Sequence, residues 1–135
     1  MTLTALSLGE VGTLLDGGLM EHIDDLREEL RGPAKALREE IPEVMRAFGG
    51  LSAAAMVEGD LNVATKELIA LAIAITRECD GCVAAHARGA ARAGATRRQV
   101  AEMAGVAILM NGGPGTVWGP RALAAFDQAL AERES

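Results

Sequence analysis

Glu67-Leu68-Ile69-Ala70-Leu71-Ala72-Ile73-Ala74-Ile75-Thr76-Arg77-Glu78-Cys79-Asp80-Gly81-Cys82-Val83-Ala84-Ala85-His86 is the stretch on which the fold turns. Leu68 to Ile75 is an unbroken apolar run, which by pattern alone suits a buried strand or a buried helix. The choice matters, because a buried strand feeding a Cys-x-x-Cys at a helix start is a known redox arrangement. Three of the run's residues are alanine, the best helix former. Val63 to Glu67 lead into it without a turn signal, and nothing elsewhere alternates with period two to supply a pairing strand. The run therefore reads as helix.

Working outward, Asn62 is a suitable N-cap for a helix to about Arg77, and a second helix follows from about Asp80 to Ala93 with Gly94 as its cap. Thr96 and Gln99 form a capping box for a helix to about Met110. After the Gly112-Gly113-Pro114-Gly115 break, a last helix is expected from about Gly115, carrying Val117, Leu123, Phe126 and Leu130. Upstream, Pro42 suits the first turn of a helix carrying Val44, Met45, Phe48, Leu51 and Met56 and ending at Gly59. Met20, Ile23, Leu26 and Leu30 have helical spacing, Gly32-Pro33 is expected to interrupt it, and a short helix fits Pro33 to Glu40. The first 20 residues read as irregular or one loose turn.

The 135 residues suit one domain, and 50% hydrophobic with 24% charged is a globular balance. Bulky groups are scarce: Phe48, Phe126 and Trp118 are the only aromatics. A short chain rich in small apolar side chains buries little area alone, which suggests further burial in an oligomer. The net charge of −6 has the wrong sign for nucleic acid. The basic run Arg88, Arg92, Arg97 and Arg98 reads first as a solvated face and second as a positive surrounding for a thiolate. Met1 to Met20 carries no Lys or Arg, hence no basic leader of a secretion signal. Met103 to Pro120 lacks charge but is broken by Gly and Pro, so no membrane span is expected. Two close cysteines without a signal point to a reducing, cytoplasmic setting, where such pairs are catalytic or metal-binding.

With Cys79 at a helix N-terminus, Cys82 lies three residues on and His86 four beyond, so all three share one face. The sulfurs can close a disulfide, and the imidazole reaches the second sulfur. The helix dipole and free N–H groups favour a thiolate there, the nucleophile of peroxide reduction and disulfide exchange. Other readings remain open on spacing alone. Two cysteines can be small core residues; C-x2-C-x3-H can supply three zinc ligands, with no fourth in view since the other histidine is His22; and His86 can be a core histidine. Glu67, beside Lys66, reads by default as a surface carboxylate. A role at the site requires its helix to fold back so that Glu67 meets His86, which periodicity does not show.

Lys66-Glu67-Leu68-Ile69-Ala70-Leu71-Ala72, Cys79-x-x-Cys82-x-x-x-His86, Gly94-Ala95-Thr96 and Gln99-Val100 resemble the alkylhydroperoxidase D / carboxymuconolactone decarboxylase family. Met110 to Leu123 resembles the end of its single-repeat members, and the likeness spans about Ile41 to Ala131. It implies an all-α fold, a single-domain antiparallel helical bundle over residues 41–135, assembled as a trimer or hexamer; residues 1–40, which the likeness does not cover, are assigned as an N-terminal helical extension. It also implies roles: Cys82 attacks a peroxide, Cys79 resolves the sulfenic acid as a disulfide, and Glu67 and His86 relay the proton. Where the family's best-known members carry another histidine between the cysteines, this chain has Gly81.

The function implied is a thiol peroxidase or disulfide reductase for a small peroxide. No glycine fingerprint for a nucleotide follows a strand, so no cofactor is expected and electrons would come from a thiol or dithiol reductant protein; with no fourth ligand in view, no metal is expected either. Lactone decarboxylation is a second reading, although decarboxylases of this likeness lack the cysteine pair. A redox-sensing or assembly protein is a third. The pocket is expected among small and aliphatic side chains with Trp118 and Met110.

Overall fold

The computed structural model describes the backbone of residues 8–135 and the side chains from Asp24 onward. Six helices follow one another among the described residues: α1 (Leu8–Glu40), α2 (Pro42–Met56), α3 (Val63–Thr76), α4 (Asp80–Arg92), α5 (Arg97–Asn111) and α6 (Gly113–Glu134). No strand occurs among those residues, and the apolar run from Leu68 to Ile75 is helical, as its alanines and lead-in imply. The fold is all-α.

The caps read from the sequence delimit α3 to α5. Asn62 Oδ1 accepts from the Thr65 N–H at 2.8 Å, a cap worth about 1 kcal/mol. Thr96 Oγ1 accepts from the Gln99 N–H at 3.1 Å while Gln99 Oε1 accepts from the Thr96 N–H at 2.8 Å, so both halves of the capping box are present. Gly94 takes φ +85° just past α4, a conformation in which other residues are strained. Two boundaries move: α2 stops at Met56, where Val57 turns extended, and α6 starts at Gly113 with Pro114 in its first turn.

The N-terminal expectation fails in a larger way. The backbone is one helix from Leu8 to Glu40, with Pro33 inside it, so residues 8–20 are neither irregular nor a single turn; residues 1–7 lie outside the described residues. Proline removes one helical hydrogen bond and normally breaks a helix. Around Pro33 the helix surface is exposed, so a freed carbonyl can bond water. Ion pairs one turn apart add support on this face: Arg27 with Asp24 at 3.5 Å, Arg31 with Glu28 at 3.0 Å, and Lys35 with Glu39 at 3.8 Å.

Two antiparallel hairpins make the core. In α3–α4, Glu67 near the start of α3 meets His86 well along α4. In α5–α6, a side chain on Gly115 would collide with the Ile108 backbone at 2.9 Å, and one on Gly119 would touch Ala104 and Ile108. The hairpins stack with α4 and α6 side by side in the same direction, as the pairs Asp80–Arg121 and Ala91–Arg133 show. Leu71, Ile75, Val83, Val100 and Phe126 are the largest fully buried side chains, and the rest of the core is mostly alanine. Small residues let the helices approach closely. A Gln128–Asp24 hydrogen bond of 3.0 Å ties α1 to α6.

Candidate functional site

The turn between α3 and α4 puts Cys79 at the head of α4. The Cys79 N–H donates to the Ala74 carbonyl at 3.2 Å and the Glu78 N–H to the Ile75 carbonyl at 3.2 Å, the two bonds of a Schellman motif. Its pivot, Glu78, sits at φ +54°. The chain reverses there, and Cys79 becomes the N-cap, its sulfur accepting from the Cys82 N–H at 3.3 Å. Cys79 and Cys82 are joined as a disulfide with Cα atoms 5.2 Å apart. Cys79 is half-buried, whereas Cys82 and Gly81 face solvent.

The same reversal brings Glu67 to His86. His86 Nδ1 and Glu67 Oε2 are 2.8 Å apart, with side chains 35% and 14% exposed. An ionised carboxylate only accepts; bonded so, the imidazole carries its proton on Nδ1 and presents Nε2 as an acceptor. His86 lies one turn beyond Cys82 on α4. The four residues singled out in the sequence are thus assembled by one hairpin: the disulfide at its turn, the Glu67–His86 pair one turn further along. Among the described residues, no three His, Cys, Asp or Glu side chains converge to hold a metal ion.

Sequence reasoning missed three neighbours. Asp80, between the cysteines, pairs with Arg121 of α6 at 3.4 Å. Arg121 also stacks on Trp118, 4.3 Å from the ring centroid, a cation–π contact. Gly89 is buried on α4, and a side chain there would overlap the Glu67 carboxylate. A lone glycine inside a helical pattern is a signal that can be read; nothing in the sequence linked Arg121 to Asp80.

The basic run makes its contacts away from the disulfide. Arg97 pairs with Asp127 through two bonds of 2.8 and 3.1 Å, which raise its guanidinium above the usual range, and Arg98 pairs with Glu102 at 2.9 Å. Arg88 and Arg92 line a cavity of about 200 Å³ with Ala129, Glu132 and Arg133. Burial, then the positive Arg27 and Arg92, lower the Arg88 guanidinium against the opposing pull of Glu132 and Asp24. Arg121 brings a cation to the motif through its pair with Asp80. Of the expected pocket residues, Met110 is 78% exposed and Trp118 is half-buried beneath Arg121. A cavity of about 510 Å³ is lined by Arg97, Pro120, Leu123, Ala124, Asp127, Gln128 and Ala131, none of them a member of the site.

The chain is similar to known proteins in sequence and fold. Residues 42–129 match the model of the carboxymuconolactone decarboxylase family. An uncharacterized protein of Cupriavidus necator is 47% identical over 92 residues, covering 68% of this chain and 81% of that one. An uncharacterized protein from the cox locus of Paracoccus denitrificans is 39% identical over 82 residues, 61% of this chain and 74% of its own. The crystal structure of an apo carboxymuconolactone decarboxylase family protein from Legionella pneumophila aligns with a TM-score of 0.76 at 34% identity, covering 82% of this chain and 98% of that one. The chain belongs to the carboxymuconolactone decarboxylase family.

Proposed function

We propose that the protein is a thiol peroxidase of the alkylhydroperoxidase D-like kind, cycling Cys79 and Cys82 between dithiol and disulfide. The observation that carries the reading is a disulfide-forming pair with a carboxylate-held imidazole one helical turn beyond it. In the reduced protein, His86 Nε2 takes the Cys82 thiol proton, directly or through a water, while Glu67 holds the ring and steadies the imidazolium. The Cys82 thiolate attacks one oxygen of a hydroperoxide. The S–O bond forms as O–O breaks, and the departing alkoxide leaves as an alcohol with the proton from His86. Cys79 then attacks the sulfenic sulfur; the S–S bond forms and hydroxide departs as water. A dithiol reductant protein returns two electrons and two protons by thiol–disulfide exchange.

Exposure of Cys82 supports its place as the attacking sulfur. The test is peroxide consumption with a dithiol reductant. Glu67→Gln should slow the rate about a hundredfold, the low end of what a positioned acid–base group contributes. An unchanged rate and pH profile would remove Glu67 from the relay.

A second reading has its own observation: the Cys82 N–H aimed at Cys79 Sγ. A sulfur at a helix N-cap is favoured as thiolate, so Cys79 suits attack on a partner's disulfide. Reduction of a mixed disulfide without any peroxide turnover would favour this disulfide reductase reading.

The assembly proposed is a homo-oligomer, a trimer or hexamer. On α2 no residue is buried, and Val44, Phe48 and Leu51 are 61–66% exposed, the kind of apolar face that a second copy covers. Light scattering should report a mass several times 14.0 kDa, and Phe48→Asp should lower it; a wild-type monomer at micromolar concentration contradicts the proposal. No described helix is long and apolar enough to cross a membrane; the cytoplasmic setting is proposed on the close cysteine pair, which works as a dithiol in a reducing compartment.

A further inference from the structure

Gly89 lies three residues beyond His86 in the last turn of α4, buried. Its backbone φ is not among the positive ones, so the conformation does not call for glycine. Glycine is also a poorer helix former than alanine. The position is explained by what lies against it: a Cβ built there would overlap Cδ and both carboxylate oxygens of Glu67. The same carboxylate holds His86 Nδ1 at 2.8 Å.

We infer that Gly89 is a positioning residue, whose missing side chain is the notch in α4 that lets the Glu67 carboxylate lie against the helix and reach His86. The colliding atoms are the far end of a flexible side chain, not backbone. A methyl group at position 89 is therefore accommodated by swinging Glu67 away, leaving the hairpin folded. The helix keeps its shape, the carboxylate loses its seat, and the imidazole loses what fixes its proton on Nδ1. A free imidazole favours the Nε2–H form, in which the acceptor nitrogen points away from its use in the relay. The effect on rate rests on the peroxidase reading; the effect on the histidine does not.

The experiment has two readouts on the full chain. Long-range proton–nitrogen NMR of the neutral His86 ring reports its tautomer. The Nδ1–H form should dominate in the wild type and give way toward Nε2–H in Gly89→Ala. Retention of the wild-type tautomer in Gly89→Ala would overturn the inference. Peroxide consumption should fall about a hundredfold in Gly89→Ala and by a similar factor in Glu67→Ala. Adding Gly89→Ala to Glu67→Ala should change the rate by less than about twofold, because the group it displaces is already gone, and residues acting as a unit are not additive. Independent, multiplying losses would contradict the shared role. If Gly89→Ala fails to fold, the double variant decides: wild-type helicity supports the notch, and renewed failure overturns it. A Glu67→Ala enzyme with full activity would end the proposed relay while leaving the NMR result to judge Gly89.

Discussion

Two turns on either side of α4 are built alike, and their difference marks the candidate site. At the far end of α4, Gly94 and Ala95 close a Schellman motif onto Ala91 and Ala90, with bonds of 3.2 and 3.0 Å. The pivot is glycine at φ +85°, and a threonine capping box starts the next helix. At the near end, Glu78 and Cys79 close the same motif onto Ile75 and Ala74. There the pivot is a glutamate at φ +54°, the one positive φ on a non-glycine among the described residues, and the following cap is a cysteine sulfur. For such a residue the left-handed region costs roughly 1–2 kcal/mol. One turn follows local preference throughout; the other departs from it at two consecutive positions. Such departures gather where a chain is held for chemistry, and here the departure delivers Cys79 to the head of α4.

That contrast is meaningful only if packing dominates both turns. Leu71 of α3 is fully buried, and Leu71→Ala should destabilise by about 2–5 kcal/mol in urea titration, more than any change at either turn. A loss below 1 kcal/mol would mean that the α3–α4 hairpin is not held by its core. Gly94→Ala comes next. No atom lies within 4 Å of an added Cβ, so backbone strain of about 1–2 kcal/mol is offset only by the reduced freedom of the unfolded chain, leaving a net loss of about 1 kcal/mol. The smallest effect has the opposite sign: Glu78→Gly relieves the left-handed strain but adds unfolded-state freedom, leaving a gain of about 0.5 kcal/mol. A loss of stability in Glu78→Gly would show that its side chain stabilises the turn after all.

The legible parts of the fold were those set by local chemistry. Asn62, Thr96 with Gln99, and Gly94 each satisfy orphan backbone groups within four residues, so α3, α4 and α5 could be placed from the sequence. Pro33 misled because its local penalty is softened where the helix faces water. At the site, the spacing of Cys79, Cys82 and His86 already put them on one face. The Glu67–His86 contact joins residues 19 apart, so it depended on a reversal that no periodic pattern reports; the likeness to a known family suggested the grouping, and the hairpin supplies the geometry. Glu78, which makes that reversal, carries no turn-forming residue type and could not be read. Arg121 is 41 residues from Asp80, beyond any local rule. Gly89 was visible as a glycine inside a helix, but its meaning depended on a neighbour from α3.

The division of labour between the two sulfurs is the central claim, and trapping the oxidised intermediate tests it most directly. Reduced Cys79→Ser protein, treated with one equivalent of alkyl hydroperoxide and a sulfenic-acid reagent, should carry a single adduct on Cys82 by mass spectrometry and release one equivalent of alcohol. Cys82→Ser should consume no peroxide. An adduct on Cys79 in Cys82→Ser, with wild-type peroxide consumption, would contradict the account and make the helix-capping sulfur the nucleophile.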